Sequence, residues 1–158
     1  MNFGFFLALL LTITPFIELR GGLPLAIIYS NSVGIPIIFS FLLVVLLNIL
    51  IIFLIFLFLD YIHNFLLRFN FYSIFFEKYL IKTQKKVEKF ERHYKRFGFW
   101  AMIIFVGIPL PGTGVYSACL IAWLLDLDRR KMIPAISIGV VIAGIIIFLG
   151  TLGVLRLV

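Results

Sequence analysis

The chain has 158 residues, of which 63% are hydrophobic and 13% are charged, and its 14 Lys and Arg against 7 Asp and Glu give a net charge of +7. Soluble domains average roughly 45–50% apolar and about 25% charged residues, so this composition excludes a soluble globular fold. A domain of this length cannot bury so much apolar surface from water. The sequence therefore predicts an all-α integral membrane protein. In such a protein, excess positive charge indicates the orientation in the membrane and contact with lipid headgroups, and not nucleic-acid binding.

The first apolar run covers residues 3–30 and is interrupted near its centre by the motif TPFIELRGGLP at residues 14–24. Proline removes a backbone donor and paired glycines favour unwinding, so the motif predicts a break in the helix. The arm before the break provides about 18 Å of helix and reaches only the middle of a bilayer. We therefore expect a re-entrant hairpin over residues 3–30, and the alternative is one broken span from a cytoplasmic Met1. No basic residue precedes the run, so we expect no cleaved signal peptide.

The next apolar run, residues 35–59, carries no charge and predicts a transmembrane helix in which Asn48 is the main polar residue. Residues 60–97 form an insert rich in Lys and Arg, which indicates a cytoplasmic location. Apolar residues at helical spacing and i,i+4 charge pairs predict an amphipathic helix within this insert. That helix either binds anionic lipid headgroups, pairs with a second copy of the chain, or is a solvated arm that only fixes the topology.

A second interrupted run covers residues 99–125 and contains the motif GIPLPGTG at residues 107–114. Basic residues also fill the connection at residues 126–131, which we expect to be cytoplasmic like the insert. Both ends of the run then face the same side of the membrane. The run therefore predicts a second re-entrant hairpin with its tip at the proline and glycine motif.

The pattern of hairpin and span occurs twice. Residues 132–155 predict a second transmembrane helix, so residues 1–59 and residues 98–158 each contain a hairpin followed by a span. Pro36 and Pro134 each stand where a spanning helix is expected to begin, because proline is tolerated in the first turn. The opposite orientation of the two halves predicts an inverted-topology repeat.

Glu18 and Arg20 are the only charged residues before Asp60, and both lie in the first break. Each costs about 2.5–3.5 kcal/mol at the centre of an isolated membrane helix, so the pair needs protein, water or each other. Two interpretations remain open: a functional polar cavity, or a buried ion pair that only pins the hairpin. The cavity is the better interpretation, because an ionisable residue within a membrane is functional by default.

Each break is also expected to expose the N-terminus of a half-helix. Gly21-Gly22 precede a half-helix expected to begin near Leu23, and Gly112-Thr113-Gly114 precede the second. Two such N-termini beside Arg20 make a site suited to a phosphate or a carboxylate. Glu18 is then expected to hold Arg20 when the site is empty, or to take up a proton when an anion enters.

The site predicted from the residues is a transport site and not a catalytic one. No nucleophile with a base, no metal-ligand spacing and no phosphate-binding loop occurs in the sequence, so we expect no enzyme activity, cofactor or metal. The predicted substrate-binding and coupling residues are Glu18, Arg20, Gly21, Gly22, Pro24, Asn48, Pro109, Pro111, Gly112, Thr113, Gly114 and Tyr116.

Two motifs resemble those of a known family. The segments PFIELRGGLPLA at residues 15–26 and IPLPGTG at residues 108–114 closely resemble the small multidrug export protein family of bacteria and archaea. The resemblance extends to FGF at residues 97–99 and GVVIAG at residues 139–144. Asn48 matches an asparagine of the family's first span, although the proline usually near it is missing. The family is distantly similar to the DedA, or SNARE-associated, superfamily, whose arginine motif has possible counterparts here only in Arg129 and Arg130.

The resemblance implies a transporter or a lipid scramblase with two opposed hairpins. We expect a multi-pass protein of the plasma membrane that moves an amphipathic or anionic substrate, such as a phosphate-bearing lipid, through a site at the bilayer midplane. One alternative is proton-coupled export of small cationic drugs, in which Glu18 binds the cation and Arg20 is its resting partner. Another is a non-transporting membrane assembly factor. Four short membrane segments enclose a cavity poorly, so we also expect a homodimer.

Overall fold

The computed structural model describes residues 3–15, 17–66, 98–110 and 112–157 of the chain. This part of the chain is helical, without strands, so the predicted all-α class is confirmed there. Most of the predicted basic insert, residues 67–97, lies outside the described residues. The helices are α1 (Phe3–Ile13), α2 (Glu18–Val33), α3 (Ile37–Leu66), α4 (Gly98–Gly107), α5 (Val115–Leu124) and α6 (Arg129–Leu157).

α1 and α2 run antiparallel and pack side by side. Gly4, at the start of α1, lies so close to Tyr29, near the end of α2, that an added Cβ would come within 2.7 Å of the Tyr29 ring. At the other end of the pair, Gly22 of α2 lies directly against Thr12 of α1. The two short helices therefore double back on each other at the first break.

The first break is shorter than predicted. It covers residues 14–17, and α2 runs through Gly21, Gly22 and Pro24 without interruption. The prediction that these three residues unwind the chain is therefore wrong. A Cβ on Gly22 would overlap the Thr12 side chain, so the missing side chain serves the close approach of α1 and α2.

The two long helices, α3 and α6, correspond to the predicted spans and extend beyond them. Pro36 directly precedes α3, as expected, but Pro134 lies inside α6 and does not begin it. α6 starts earlier because the Asp128 carboxylate accepts the backbone N–H of Arg130 at 3.0 Å and so caps the helix N-terminus. α3 likewise continues past the predicted end of the span at residue 59.

Two segments of these helices, Ile37–Ile62 and Arg129–Arg156, are long and apolar enough to cross a membrane by length and composition. Large apolar side chains remain exposed along the outside of both helices, as at Leu54, which is 63% exposed, and Leu149, which is 62% exposed. Contiguous apolar surface of this kind marks a partner or a membrane.

Glycines on α6 allow its neighbours to approach closely. At Gly139, an added Cβ would come within 3.1 Å of the Ile103 carbonyl oxygen and 2.7 Å of the Val106 side chain, both on α4. At Gly144, an added Cβ would come within 3.1 Å of Val45 on α3. α6 therefore holds the second half of the chain against the first.

The order of two short helices and one long helix occurs twice along the chain. The re-entrant placement of the short helices and the inversion of the repeat remain predictions.

Candidate transport site

The two breaks meet through a hydrogen bond between side chains. Arg20, on the first turn of α2, donates from Nη2 to the Thr113 hydroxyl in the second break at 2.8 Å. The Thr113 Oγ1 also lies 2.8 Å from the carbonyl oxygen of Ile108 and 2.9 Å from that of Leu110, so it accepts from Arg20 while it donates within its own break. Thr113 thus links the half-buried Arg20 to the backbone of the second break.

The carboxylate of Glu18 caps the N-terminus of α5. Glu18 is 7% exposed, and its Oε1 accepts the backbone N–H of Tyr116, on the first turn of α5, at 3.3 Å. Gly114, the residue before α5, is extended and has no side chain to cap the helix. A carboxylate is stabilised at this position by the unpaired N–H groups and the positive end of the helix dipole. The cap that α5 lacks in its own sequence therefore comes from the first residue of α2.

The backbone at both contact points fits this close approach. A Cβ on Gly114 would overlap the Glu18 carboxylate, so only glycine leaves room for it. Glu18 itself has φ 49°, in the left-handed region that is unfavourable for a residue with a Cβ. Such strain costs on the order of 1–3 kcal/mol and clusters at functional sites.

Two predictions about this site are wrong. Within the described residues, Glu18 bonds to Tyr116 and Arg20 bonds to Thr113, so the two charges do not hold each other. The N-terminus of α5 is not open to an external anion in this conformation, because the chain's own carboxylate occupies it. The N-terminus expected after Gly21-Gly22 is also displaced, since α2 begins at Glu18 and not near Leu23.

Tyr116 connects the site to the end of α1. Its hydroxyl donates to the Ile13 carbonyl oxygen at the last residue of α1, while its backbone N–H reaches Glu18. Both Ile13 and Tyr116 also line an apolar groove of about 400 Å³ that runs along α3. Tyr116 therefore lies between the groove and the Glu18 carboxylate, which is not itself a lining residue. Its lining residues are Ile13, Ile51, Leu54, Ile55, Leu57, Phe58, Tyr61 and Tyr116.

The remaining predicted residues lie around this centre. Pro109 and Gly112 belong to the second break, and Gly112 has φ 88°, which favours glycine. Asn48 is 1% exposed and donates from Nδ2 to the Val44 carbonyl of its own helix at 3.0 Å, so this bond does not connect it to the site. Pro111 lies outside the described residues. Ligand binding by any of these residues remains a prediction.

Sequence reasoning missed a second polar cluster, at the far end of α5. Asp60 of α3 accepts two hydrogen bonds of 2.6 Å from the Arg129 guanidinium and one of 3.0 Å from the Trp123 indole N–H. The same guanidinium lies 5.4 Å from the centre of the Phe56 ring. The sequence contains one signal for this cluster, because Asp60 is the acidic residue that ends a long uncharged run. No group of three metal-ligating side chains occurs among the residues that the structure describes.

Comparison with known proteins gives one family. The family described as putative small multi-drug export protein matches residues 18–146, which include α2, α5 and most of α6. No curated protein and no solved structure matches the chain. Similarity to the DedA superfamily stays a prediction. The export family and the two long apolar helices together indicate a membrane protein, and the chain belongs to the small multi-drug export protein family.

Proposed function

We propose that this protein exports small amphipathic cations in exchange for protons bound at Glu18. The observation that carries the proposal is a buried carboxylate that accepts the backbone N–H of Tyr116, a residue that also lines an apolar groove, and that is not bonded to a cationic side chain of the described residues. The description of the family as multi-drug exporters supports the same class of substrate. This is the alternative that the sequence left open, with Glu18 as the cation-binding acid.

Glu18 suits exchange because a carboxylate shielded from water binds either a proton or one organic cation. Protonation removes the charge that the N-terminus of α5 stabilises, so it weakens the bond to Tyr116. A cation that enters from the groove has the opposite effect, since it favours the ionised carboxylate and expels the proton. One acid that binds the two ligands in turn couples their movements in opposite directions.

The groove fits the apolar part of such a substrate. A volume of about 400 Å³ falls within the roughly 300–1,000 Å³ of sites for drug-sized molecules. Its walls are aliphatic and aromatic, and Tyr61 and Tyr116 supply ring faces that attract organic cations. The apolar body of the substrate is then bound by the groove, while its charge meets Glu18.

We further propose that the site lies at middle depth in the membrane, between two re-entrant hairpins. Trp123 at the end of α5 contacts Asp60 near the end of α3, and Tyr116 lies seven residues earlier on α5. That separation amounts to roughly 10 Å of helix, so the site is aligned with the centre of α3 if the two helices are parallel. The hairpins would thus leave the buried acid far from both membrane surfaces.

A second candidate is transport of amphipathic anions such as phosphate-bearing lipids. It is favoured by Arg20, whose guanidinium bonds to a neutral hydroxyl and is only partly buried. An anionic headgroup would replace Thr113 as the partner of Arg20. Contact of the basic insert with anionic headgroups, a homodimer and a plasma-membrane location remain part of the proposal.

Transport in liposomes that contain the purified protein tests both candidates. We expect a pH gradient to drive ethidium movement with the wild-type protein and not with Glu18→Gln. Asp126→Asn is the matched control, because Asp126 is exposed and has φ 49°, a conformation that asparagine tolerates. Gradient-driven movement that persists in Glu18→Gln would refute cation exchange. Scrambling of labelled phospholipid that is lost in Arg20→Gln would favour the anionic candidate, and neither activity would favour an assembly factor.

A further inference from the structure

α5 is held at both ends by carboxylates that come from other helices. At its N-terminus the Tyr116 N–H donates to Glu18 at 3.3 Å, and at its C-terminus the Trp123 indole donates to Asp60 at 3.0 Å. The helix has only 10 residues, so these bonds are about two turns apart. A short helix bonded at both ends transmits a displacement of one end to the other.

The Asp60 end is the more firmly held of the two. Both Asp60 oxygens accept from Arg129 at 2.6 Å, and bidentate pairs of this kind have a defined geometry. The Arg129 guanidinium also lies over the Phe56 ring at 5.4 Å, which orients it further. Asp60 therefore joins α3, α5 and the first turn of α6 at one point.

The side of α5 that faces the protein packs closely against its neighbours. Its buried residues are Val115, Ala118, Cys119 and Ala122, all of them small, and the partly buried Ile121 packs against the core. Apolar packing of this kind is non-directional. The hydrogen bonds at the two ends of α5 therefore add the directional restraint on its orientation.

We infer that Asp60 is a positioning residue for the Glu18 site and acts through α5. By holding Trp123 and Arg129, it orients the helix so that the Tyr116 N–H meets the Glu18 carboxylate. When Glu18 releases α5, the helix tilts about its Asp60 end. The inference rests on the Glu18 site of the proposed function, but its test needs no substrate, so its failure is distinguishable from a failure of the transport assay.

Cys119 reports the position of α5 without any engineered label. It is the only cysteine in the chain, it is 0% exposed, and it lies on α5 between Tyr116 and Trp123. The experiment measures the rate at which N-ethylmaleimide alkylates Cys119 in the full-length protein in liposomes, by mass spectrometry. We expect Glu18→Ala to raise this rate about tenfold or more, because alanine has no acceptor for the Tyr116 N–H and the charge-assisted hydrogen bond that holds the helix is lost.

The combination of variants tests the role of Asp60. We expect Asp60→Asn alone to raise the alkylation rate, because the Glu18 bond weakens when α5 is no longer oriented. In the Glu18→Ala background, Asp60→Asn should change the rate by no more than about twofold, since the bond that Asp60 positions is already absent. If Asp60→Asn leaves Cys119 protected, or if its effect multiplies that of Glu18→Ala, Asp60 stabilises only its own end of α5 and the inference is wrong.

A milder variant and a control variant distinguish a specific effect on α5 from misfolding. Trp123→Phe removes the indole donor but keeps an aromatic ring. We expect it to raise the alkylation rate of Cys119 less than Asp60→Asn does. As for Asp60→Asn, the rise should disappear when Glu18 is already replaced. Lys131 lies on the first turn of α6, two residues after Arg129. Lys131→Gln breaks an exposed ion pair between Lys131 and Asp128, in which the charged atoms are 3.7 Å apart. Its alkylation rate should equal that of the wild type. A rise in Lys131→Gln as large as in Trp123→Phe would overturn the inference.

Discussion

The two breaks contribute different chemistry to one site. The first break, between α1 and α2, is followed by a helix whose first turn carries both charges, Glu18 and Arg20. The second break has no charged residue and contributes backbone and a hydroxyl: the Tyr116 N–H, the glycine surface at Gly114, and Thr113. Of the two charged side chains on the first turn of α2, Arg20 bonds to Thr113 in the second break and Glu18 bonds to Tyr116 on the first turn of α5.

This difference shows why neither break is a site without the other. A carboxylate and a guanidinium that lie two residues apart do not face each other on a helix, so they are satisfied by a second segment. The N-terminus of α5 has unpaired N–H groups that need an acceptor, and Gly114 provides none. The buried charge and the uncapped helix stabilise each other across the two halves of the chain.

Gly114→Ala should have the largest effect among the changes that break this contact. The added Cβ would overlap the Glu18 carboxylate, so either the two breaks separate or Glu18 leaves α5. We expect a loss of about 1–3 kcal/mol in the free energy of unfolding in detergent micelles, together with loss of transport. Wild-type stability and transport in Gly114→Ala would contradict the observed contact.

Gly22→Ala tests the first break in the same way. The added Cβ would overlap Thr12 of α1, so we expect α1 and α2 to separate slightly. The cost should again be about 1–3 kcal/mol in unfolding free energy, because the added Cβ would also come within 2.9 Å of the Thr12 Cα, which cannot rotate away as a hydroxyl can. A fully stable variant would mean that the glycine pair is not needed for helix packing.

Thr113→Val sharpens the comparison by removing only the hydroxyl that Arg20 contacts. The side chain keeps its size, but the 2.8 Å bond from Arg20 is lost together with the bond that the hydroxyl donates to a carbonyl oxygen of the second break. Because Arg20 is partly buried, we expect a loss of about 1 kcal/mol in unfolding free energy. Thr113→Ser should retain most of the stability, and an equal loss in both variants would show that the methyl group and not the hydrogen bond matters.

Gly150→Ala is the matched glycine change away from both breaks. An added Cβ meets nothing within 4 Å in the part of the chain that the structure describes, and Gly150 lies inside α6. We expect a small gain of about 0.5–1 kcal/mol in unfolding free energy from helix propensity. A loss comparable to that of Gly114→Ala would point to a packing partner at Gly150 instead.

The sequence was sufficient to identify the break regions and the residues that converge there. Glu18 and Arg20 stand out because they are charged within a long uncharged stretch, and Thr113 and Gly114 stand out because proline and glycine interrupt an apolar run. The hydrogen bonds that these residues form with one another could not be predicted from the sequence. Which acceptor caps α5 is decided by packing between segments 98 residues apart, and local sequence contains no signal for it.

The errors have a common physical cause. Glycine and proline close together predict an unwound segment because their helix propensity is low. Gly22 is nevertheless helical, because the close packing of α1 against α2 compensates for this low propensity. Similarly, Pro134 was expected at a helix start, but Asp128 caps α6 one turn earlier. In both cases a tertiary contact or a cap outweighs the preference of the single residue.

Proton release on cation binding is the most direct test of the account that Glu18 exchanges ligands. Tetraphenylphosphonium is added to the purified protein in weakly buffered detergent solution, and the release of protons is measured over the pH range in which the protein is folded. We expect proton release by the wild-type protein and by Asp126→Asn, and none by Glu18→Gln. Undiminished release by Glu18→Gln, with the cation still bound, would contradict the account.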